Sequence, residues 1–171
     1  LERFPHCELV YLFRAAVDTA HELELHEAPI IILHGSVIAV QHEGPHDPAD
    51  LIGRWEQSPQ LLEQGVPALL YGFLDLIVDS HLDAVDALSD AVDEMEDDLF
   101  DETAPRDQDP RIAQKRSFVT RKSLVRLRRV TQPMRELISA LMRHEEGDRV
   151  AVDVTLQPYY QDVYDHVLRV N

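Results

Sequence analysis

The stretch from Leu69 to Glu102 limits the fold more than any other. Apolar residues recur at Leu70, Phe73, Ile77, Val85, Leu88, Val92, Met95 and Leu99. Steps of three, four and their sums predict one long amphipathic helix from Pro67 to about Asp101. Acids recur beside the stripe: Asp79, Asp86 and Asp93 are seven apart, as are Asp83, Asp90 and Asp97. A carboxylate ladder of this kind repels itself. It calls for counterions, a basic partner or a divalent cation.

A second long helix is predicted from about Arg111 to His144, after the proline-bounded turn Thr103–Pro110. Its apolar positions are Leu124, Leu127, Val130, Met134, Leu137, Ile138 and Leu141. Its polar face is basic, with Arg121, Lys122, Arg126, Arg128 and Arg129 among ten cations, and Pro133 is expected to kink or break it. An acidic arm and a basic arm joined by a short turn predict an antiparallel helical hairpin. Surface ion pairs contribute only ~0–1 kcal/mol each, so apolar packing holds the arms and charge selects their pairing.

Upstream, Leu9–Val17 and Leu23–Leu33 read as strands, and His34-Gly35-Ser36 splits a hairpin with Val37–Val40. Asp50–Gln57 reads as a short helix with Trp55 packed on the sheet. The fold class is therefore α+β, with mostly antiparallel strands followed by long helices. The last segment, from Thr155 with Pro158 shortly after, reads as a third helix still running at Asn171. Both ends look like cuts, the first inside a sheet and the last inside a helix.

Composition narrows function. The net charge of -16 disfavours nucleic acid and anionic membrane surfaces and favours hard cations. One cysteine, Cys7, excludes an internal disulfide and a cysteine zinc knuckle. No signal-peptide pattern and no run of ~18 apolar residues is present, so a soluble chain is expected. No GxSxG, Walker loop, GxGxxG or HExxH occurs, so no enzyme is indicated.

The most specific short constellation is Asp162-Val163-Tyr164-Asp165-His166. On a helix, Asp162, Asp165 and His166 share a face and offer two carboxylates and an imidazole to a divalent ion. The alternative is a salt-bridge and capping cluster with Arg169. Asp75 stands apart in its helix, between Leu74 and Leu76. A carboxylate there is partly buried and partnered, faces another subunit, or lies solvated at the helix edge. His21 with His26, and His42 with His46, are weaker zinc candidates.

YYQDVYDHVLRV, preceded by a proline, resembles the start of the stalk helix of CorA-type magnesium transporters. Leu69–Phe100 resembles that family's acidic "willow" helix, and Arg121–Leu137, with Pro133-Met134-Arg135, its second. The strands Leu9–Val40 are similar to the last strands of its cytoplasmic sheet. The resemblance implies three segments. Residues 1–66 are the end of an αβα cytoplasmic domain, 67–144 the helical hairpin, and 145–171 the start of the stalk.

It also implies a homopentamer on the cytoplasmic side of the inner membrane, reaching the bilayer only through helices beyond Asn171. Asp162 matches the stalk aspartate that binds regulatory Mg²⁺ between subunits, and Asp75 the willow-helix acid of a second site. His166 matches the stalk histidine nearby, with Asp165 beside it. Mg²⁺ at these sites, with Co²⁺ or Ni²⁺ as alternatives, would hold the closed state. Rival readings are a zinc transporter of the same superfamily, a soluble helical-hairpin interaction module and a metal-dependent hydrolase.

Overall fold

A 35-residue helix, α3 (Val66–Phe100), is the element against which the others pack. The structure is a computed structural model and describes residues 2–40, 48–56, 59–100, 110–143, 150 and 152–170. His42, His46 and most of the Glu43–Pro48 and Thr103–Pro110 connections lie outside those residues.

The strands are β1 (Glu2–Arg3), β2 (Glu8–Val10), β3 (Phe13–Val17), β4 (Leu23–Glu27), β5 (Ile30–Leu33) and β6 (Ser36–Ala39). All pairings among the described residues are antiparallel. They form a four-stranded sheet, β1-β2-β5-β6, and a separate ribbon, β3-β4. The run Leu9–Val17, which reads as one strand, is therefore two strands in two sheets. The break falls at Tyr11-Leu12. The Leu12 carbonyl accepts from the Ala28 amide at 2.9 Å, so the chain changes sheets without losing that bond.

The β5–β6 hairpin matches the sequence reading. Leu33 faces Ser36, which leaves His34-Gly35 as the loop, and Gly35 sits at φ 80°. That backbone region favours glycine.

Two short helices follow, α1 (Pro48–Glu56) and α2 (Pro59–Leu62). Trp55 does not lie on the sheet as expected. It meets α3, edge-to-face with Phe73 at 5.4 Å and hard against Gly72. The missing side chain of Gly72 makes the groove that the indole fills.

The long helix begins at Val66, with Pro67 in its first turn, where a missing amide hydrogen costs nothing. The second arm, α4 (Pro110–Arg143), runs on through Pro133 without a break. Thr131, two residues before the proline, and Met134, directly after it, are buried and hold the helix in place. The arms are antiparallel. Arg116 reaches Glu94 and Asp98, Leu127 clusters with Leu88, and Met134 and Ile138 cluster with Leu74 and Ile77.

Two apolar clusters result. The larger joins the four-stranded sheet (Val10, Ile30, Ile32), α3 (Leu70, Leu74, Ile77) and α4 (Met134, Ile138) to the last helix, α5 (Gln157–Val170). The smaller joins the ribbon (Ala15, Leu23) to Ala84, Leu88 and Leu127.

The ribbon has two strands, and helix side chains bond backbone groups on both of its edges. Ser80 Oγ accepts from the Ala15 amide at 3.1 Å, and His81 Nε2 meets the Phe13 carbonyl at 2.7 Å. On the other edge, Ser123 Oγ accepts from the Leu23 amide at 3.0 Å, and Arg126 donates to the Leu23 carbonyl at 2.8 Å. Leaving such groups unpaired in the interior would cost about 1–3 kcal/mol each.

Candidate metal centre

The site forms where α5 crosses the first half of α3. The start of α5 is capped by Asp153, whose Oδ1 accepts from the amides of Thr155 at 2.8 Å and Leu156 at 3.1 Å. The cap thus lies two residues before Thr155, the start expected from sequence. Tyr160, Val163 and Val167 then form the buried face of α5. The Tyr160 hydroxyl donates to the Pro67 carbonyl at 2.8 Å, which fixes how far along α3 the helix sits.

That register sets two rows side by side. On α3, Tyr71, Asp75 and Asp79 follow at four-residue steps, so they stack on one face. On α5, Tyr159, Asp162 and His166 line the facing edge. Tyr71 meets the Tyr159 ring at 5.4 Å and the Tyr160 ring at 6.2 Å. One to two turns on, donor atoms of Asp75, Asp79 and His166 lie within 4.8 Å of one another, all three residues half-buried. Asp162 joins from its exposed side, its Oδ1 3.9 Å from His166 Nε2.

Electrostatics mark the same place. The Tyr71 hydroxyl is pushed up to about 12, first by burial and then by the nearby carboxylates of Asp75, Asp162 and Asp79. A second anion beside these carboxylates is disfavoured, and a cation is favoured. His166 Nδ1 is buried with no hydrogen-bond partner among the described residues. A metal-bound imidazole normally donates from its other nitrogen.

Two carboxylates and one imidazole suit a divalent ion with water completing its shell. Opposed ligands of Mg²⁺ stand ~4.2 Å apart, from ion–oxygen distances of about 2.1 Å. A 4.8 Å spread therefore fits coordination partly through water as it stands. Direct contact by all three needs a small closure.

The sequence candidates divide. Asp75 and His166 come together, and Asp162 lies beside them. Asp165 turns outward, its Oδ1 accepting from Gln161 Nε2 at 2.8 Å, and lies outside the group of three. Asp79 is a member that sequence reasoning placed in the acidic ladder instead. Its signal was the four-residue step from Asp75, readable once the neighbouring helix is known. His21 and His26 stand beside Glu94 and Glu24 at 3.7 and 3.6 Å and form no metal group among the described residues.

Comparison with known proteins places the fold. The family model described as "CorA-like Mg2+ transporter protein" matches residues 1–171. The Cobalt/magnesium transport protein CorA of Thermotoga maritima is 24% identical over 152 residues, covering 88% of this chain and 40% of that protein. The soluble domain of CorA from Methanocaldococcus jannaschii superposes with a TM-score of 0.71 at 19% identity, covering 99% of this chain and 64% of that one. The complete CorA magnesium transporter from the same organism gives 0.66 at 19% identity, covering 97% of this chain and 51% of that one. The chain thus spans about two-fifths of the curated relative and about half of the complete transporter. No helix among the described residues is long and apolar enough to cross a membrane. The family model covers the chain from its first residue to its last, the superposition shows the same fold, and the chain belongs to the CorA-like Mg²⁺ transporter family.

Proposed function

We propose that this chain is the divalent-cation-sensing domain of a CorA-like transporter, on the cytoplasmic side of the inner membrane. Its family is one of transporters and not of enzymes. In this reading residues 1–66 close an αβα domain, 67–144 form the hairpin and 145–171 begin a stalk that leads to membrane helices. The assembly is a homopentamer, and the regulatory ion is Mg²⁺, with Co²⁺ or Ni²⁺ able to replace it. The observation that carries the reading is the convergence of Asp75, Asp79 and His166 within 4.8 Å, with Asp162 beside them.

The mechanism is one of charge. Two carboxylates about 4 Å apart repel by ~4 kcal/mol at an effective dielectric of 20. A bound divalent ion replaces that repulsion with attraction and fixes α5 against α3. When the ion leaves, the helices and the subunits attached to them loosen, and the stalk relaxes toward an open pore. Asp75, Asp79 and His166 supply ligands. Asp162 adds a ligand on the exposed side, open to a neighbouring subunit. Asp165 adds charge one turn along and acts through water.

Thermal melts test this at matched ionic strength, with NaCl as the control. For a site with Kd of roughly 1 mM, about 10 mM MgCl₂ adds ~1.4 kcal/mol. That is a rise of ~3–6 °C for a chain of this size. The rise should vanish in Asp75→Asn and shrink in Asp162→Asn. An equal rise in the wild type and Asp75→Asn refutes the site.

The imidazole in the cluster favours a second reading, the zinc-transporting branch of the superfamily, because borderline metals prefer nitrogen donors more than Mg²⁺ does. Stabilisation by Zn²⁺ at micromolar levels with none by Mg²⁺ would select it.

A further inference from the structure

The outer face of α4 joins cations to exposed apolar side chains. Thr120, Leu127, Thr131 and Met134 turn inward on one side of the helix. At about 100° per residue, Phe118, Arg121, Lys122, Val125, Arg126 and Arg129 fall on the opposite side, at steps of three and four. Together they line a shallow groove of about 460 Å³. Phe118 is 68% exposed and Val125 47%. Arg121 and Arg129 are exposed and pair with no described acid. Lys122 meets Glu22 at 3.5 Å, an exposed pair that contributes little. Arg126 donates to the Leu23 carbonyl at 2.8 Å, which holds its charge in place at the groove.

Four cations around an exposed aromatic ring suit a ligand with phosphates at one end and a flat ring at the other. Guanidinium forks pair with phosphate oxygens, and a nucleobase stacks on an aromatic face. From Phe118 to Arg129 the helix rises ~16 Å, comparable to an extended nucleoside triphosphate. The groove volume lies within the range of about 300–1,000 Å³ common to small-molecule sites. The net charge of -16 selects a small anion over a large one. A nucleic acid or an anionic bilayer extends beyond the groove and brings its charge up against the exposed Asp83, Asp86 and Asp90 of the neighbouring arm. A small anion escapes most of that repulsion, which is screened beyond about 8 Å at physiological salt.

We infer that this groove binds a nucleoside polyphosphate, its base stacked on Phe118 and its phosphates running past Arg121 and Lys122 toward Arg129. The form bound is the one free of divalent metal. Mg²⁺ on the phosphates cancels the charge that the cations recognise, and the lining residues include no carboxylate to hold the ion. The groove lies on the outer side of α4, apart from Asp75, Asp79 and His166, and needs none of them. Metal-free nucleotide becomes commoner as Mg²⁺ falls, so the groove fills under the same condition that empties a Mg²⁺ site. That last link alone rests on the proposed function.

Isothermal titration calorimetry on the whole chain in metal-depleted buffer tests it, with ATP as the probe. The wild type should bind ATP with a submillimolar Kd at about 50 mM NaCl and several times more weakly at about 500 mM. Arg121→Gln/Arg129→Gln should weaken ATP binding about tenfold or more, and Phe118→Ala about tenfold. Phe118→Ala should leave the affinity for inorganic tripolyphosphate unchanged, because that ion has no base to stack. Saturating the ATP with MgCl₂ should weaken binding equally in the wild type and in Asp75→Asn, which separates this effect from the cation site. Circular dichroism should be the same for all variants. Failure of the wild type to bind ATP overturns the inference, as does binding by Arg121→Gln/Arg129→Gln that equals the wild type. Equal losses of ATP and tripolyphosphate in Phe118→Ala, or Mg²⁺-loaded ATP bound as tightly as free ATP, overturn it too. Binding of phosphatidylserine vesicles through Phe118 with no binding of ATP also overturns it, and would assign the face to a lipid surface.

Discussion

His81 carries the clearest pH dependence at the scale of single residues. It is buried at the α3–ribbon contact, with Nε2 on the Phe13 carbonyl and no described partner for Nδ1. Burial holds its pKa below the usual 6.5, against a smaller raising effect of that hydrogen bond. The neutral ring therefore belongs to the fold. Above pH 6.5 the ring is neutral folded and unfolded, and stability does not depend on it. Below 6.5 the unfolded chain takes up a proton that the fold refuses. Stability then falls with a slope that can reach about 1.4 kcal/mol per pH unit, until the folded pKa is passed. Urea midpoints between pH 8 and 5 should show this slope in the wild type and a shallower one in His81→Gln. Equal slopes would remove His81 as the cause. Gly72 makes the second prediction. A Cβ there would overlap Trp55 Nε1 and lie 3.1 Å from Cε2. Gly72→Ala gains up to ~1 kcal/mol of helix propensity yet drives the indole out, for a net loss of about 1–3 kcal/mol. Trp55 is the sole tryptophan, so its fluorescence should shift to the red.

At the scale of elements, packing outweighs charge in the hairpin. Ile138 is fully buried against α3 and α5, and Ile138→Ala should cost about 2–5 kcal/mol by chemical denaturation. Arg116→Ala removes the ion pairs to Glu94 and Asp98 and should cost no more than ~1 kcal/mol. A larger loss at Arg116 than at Ile138 would reverse that ranking. Periodicity made the long elements legible: α3 and α4 begin within one residue of their expected positions, because helical spacing sustained over thirty residues has few competitors. It failed where tertiary contacts decide. Leu9–Val17 carries no turn residue, so its division between two sheets was not readable. Leu124 fits the apolar stripe of α4 but is 42% exposed, while Thr120, Ser123 and Thr131 are buried. Ser123 points inward because the ribbon edge needs a hydrogen-bonding partner, and Leu124 beside it then faces out. Trp55 went to α3 because Gly72 opens a groove there. The cation cluster was half legible for the same reason. Asp75 and His166 stood out by local context, whereas Asp79 became a member only through the crossing of α5 over α3.

At the scale of the whole molecule, 32 acids face 16 lysines and arginines, and the ion pairs described within the chain are few. The balance of long-range charge interactions is therefore repulsive, and salt screens it first, while the short pairs at Arg116 persist. In dilute, metal-free solution, raising NaCl from about 50 to 500 mM should raise Tm by a few degrees, as screening relieves that self-repulsion. In Asp86→Asn/Asp90→Asn, which removes two of the exposed like charges on α3, that rise should be smaller. A wild-type salt slope that is negative even at high dilution would mean that attraction, not repulsion, dominates the isolated fold. Calorimetry on dilute protein across that salt range separates the two cases, because screening weakens whichever sign of long-range interaction dominates.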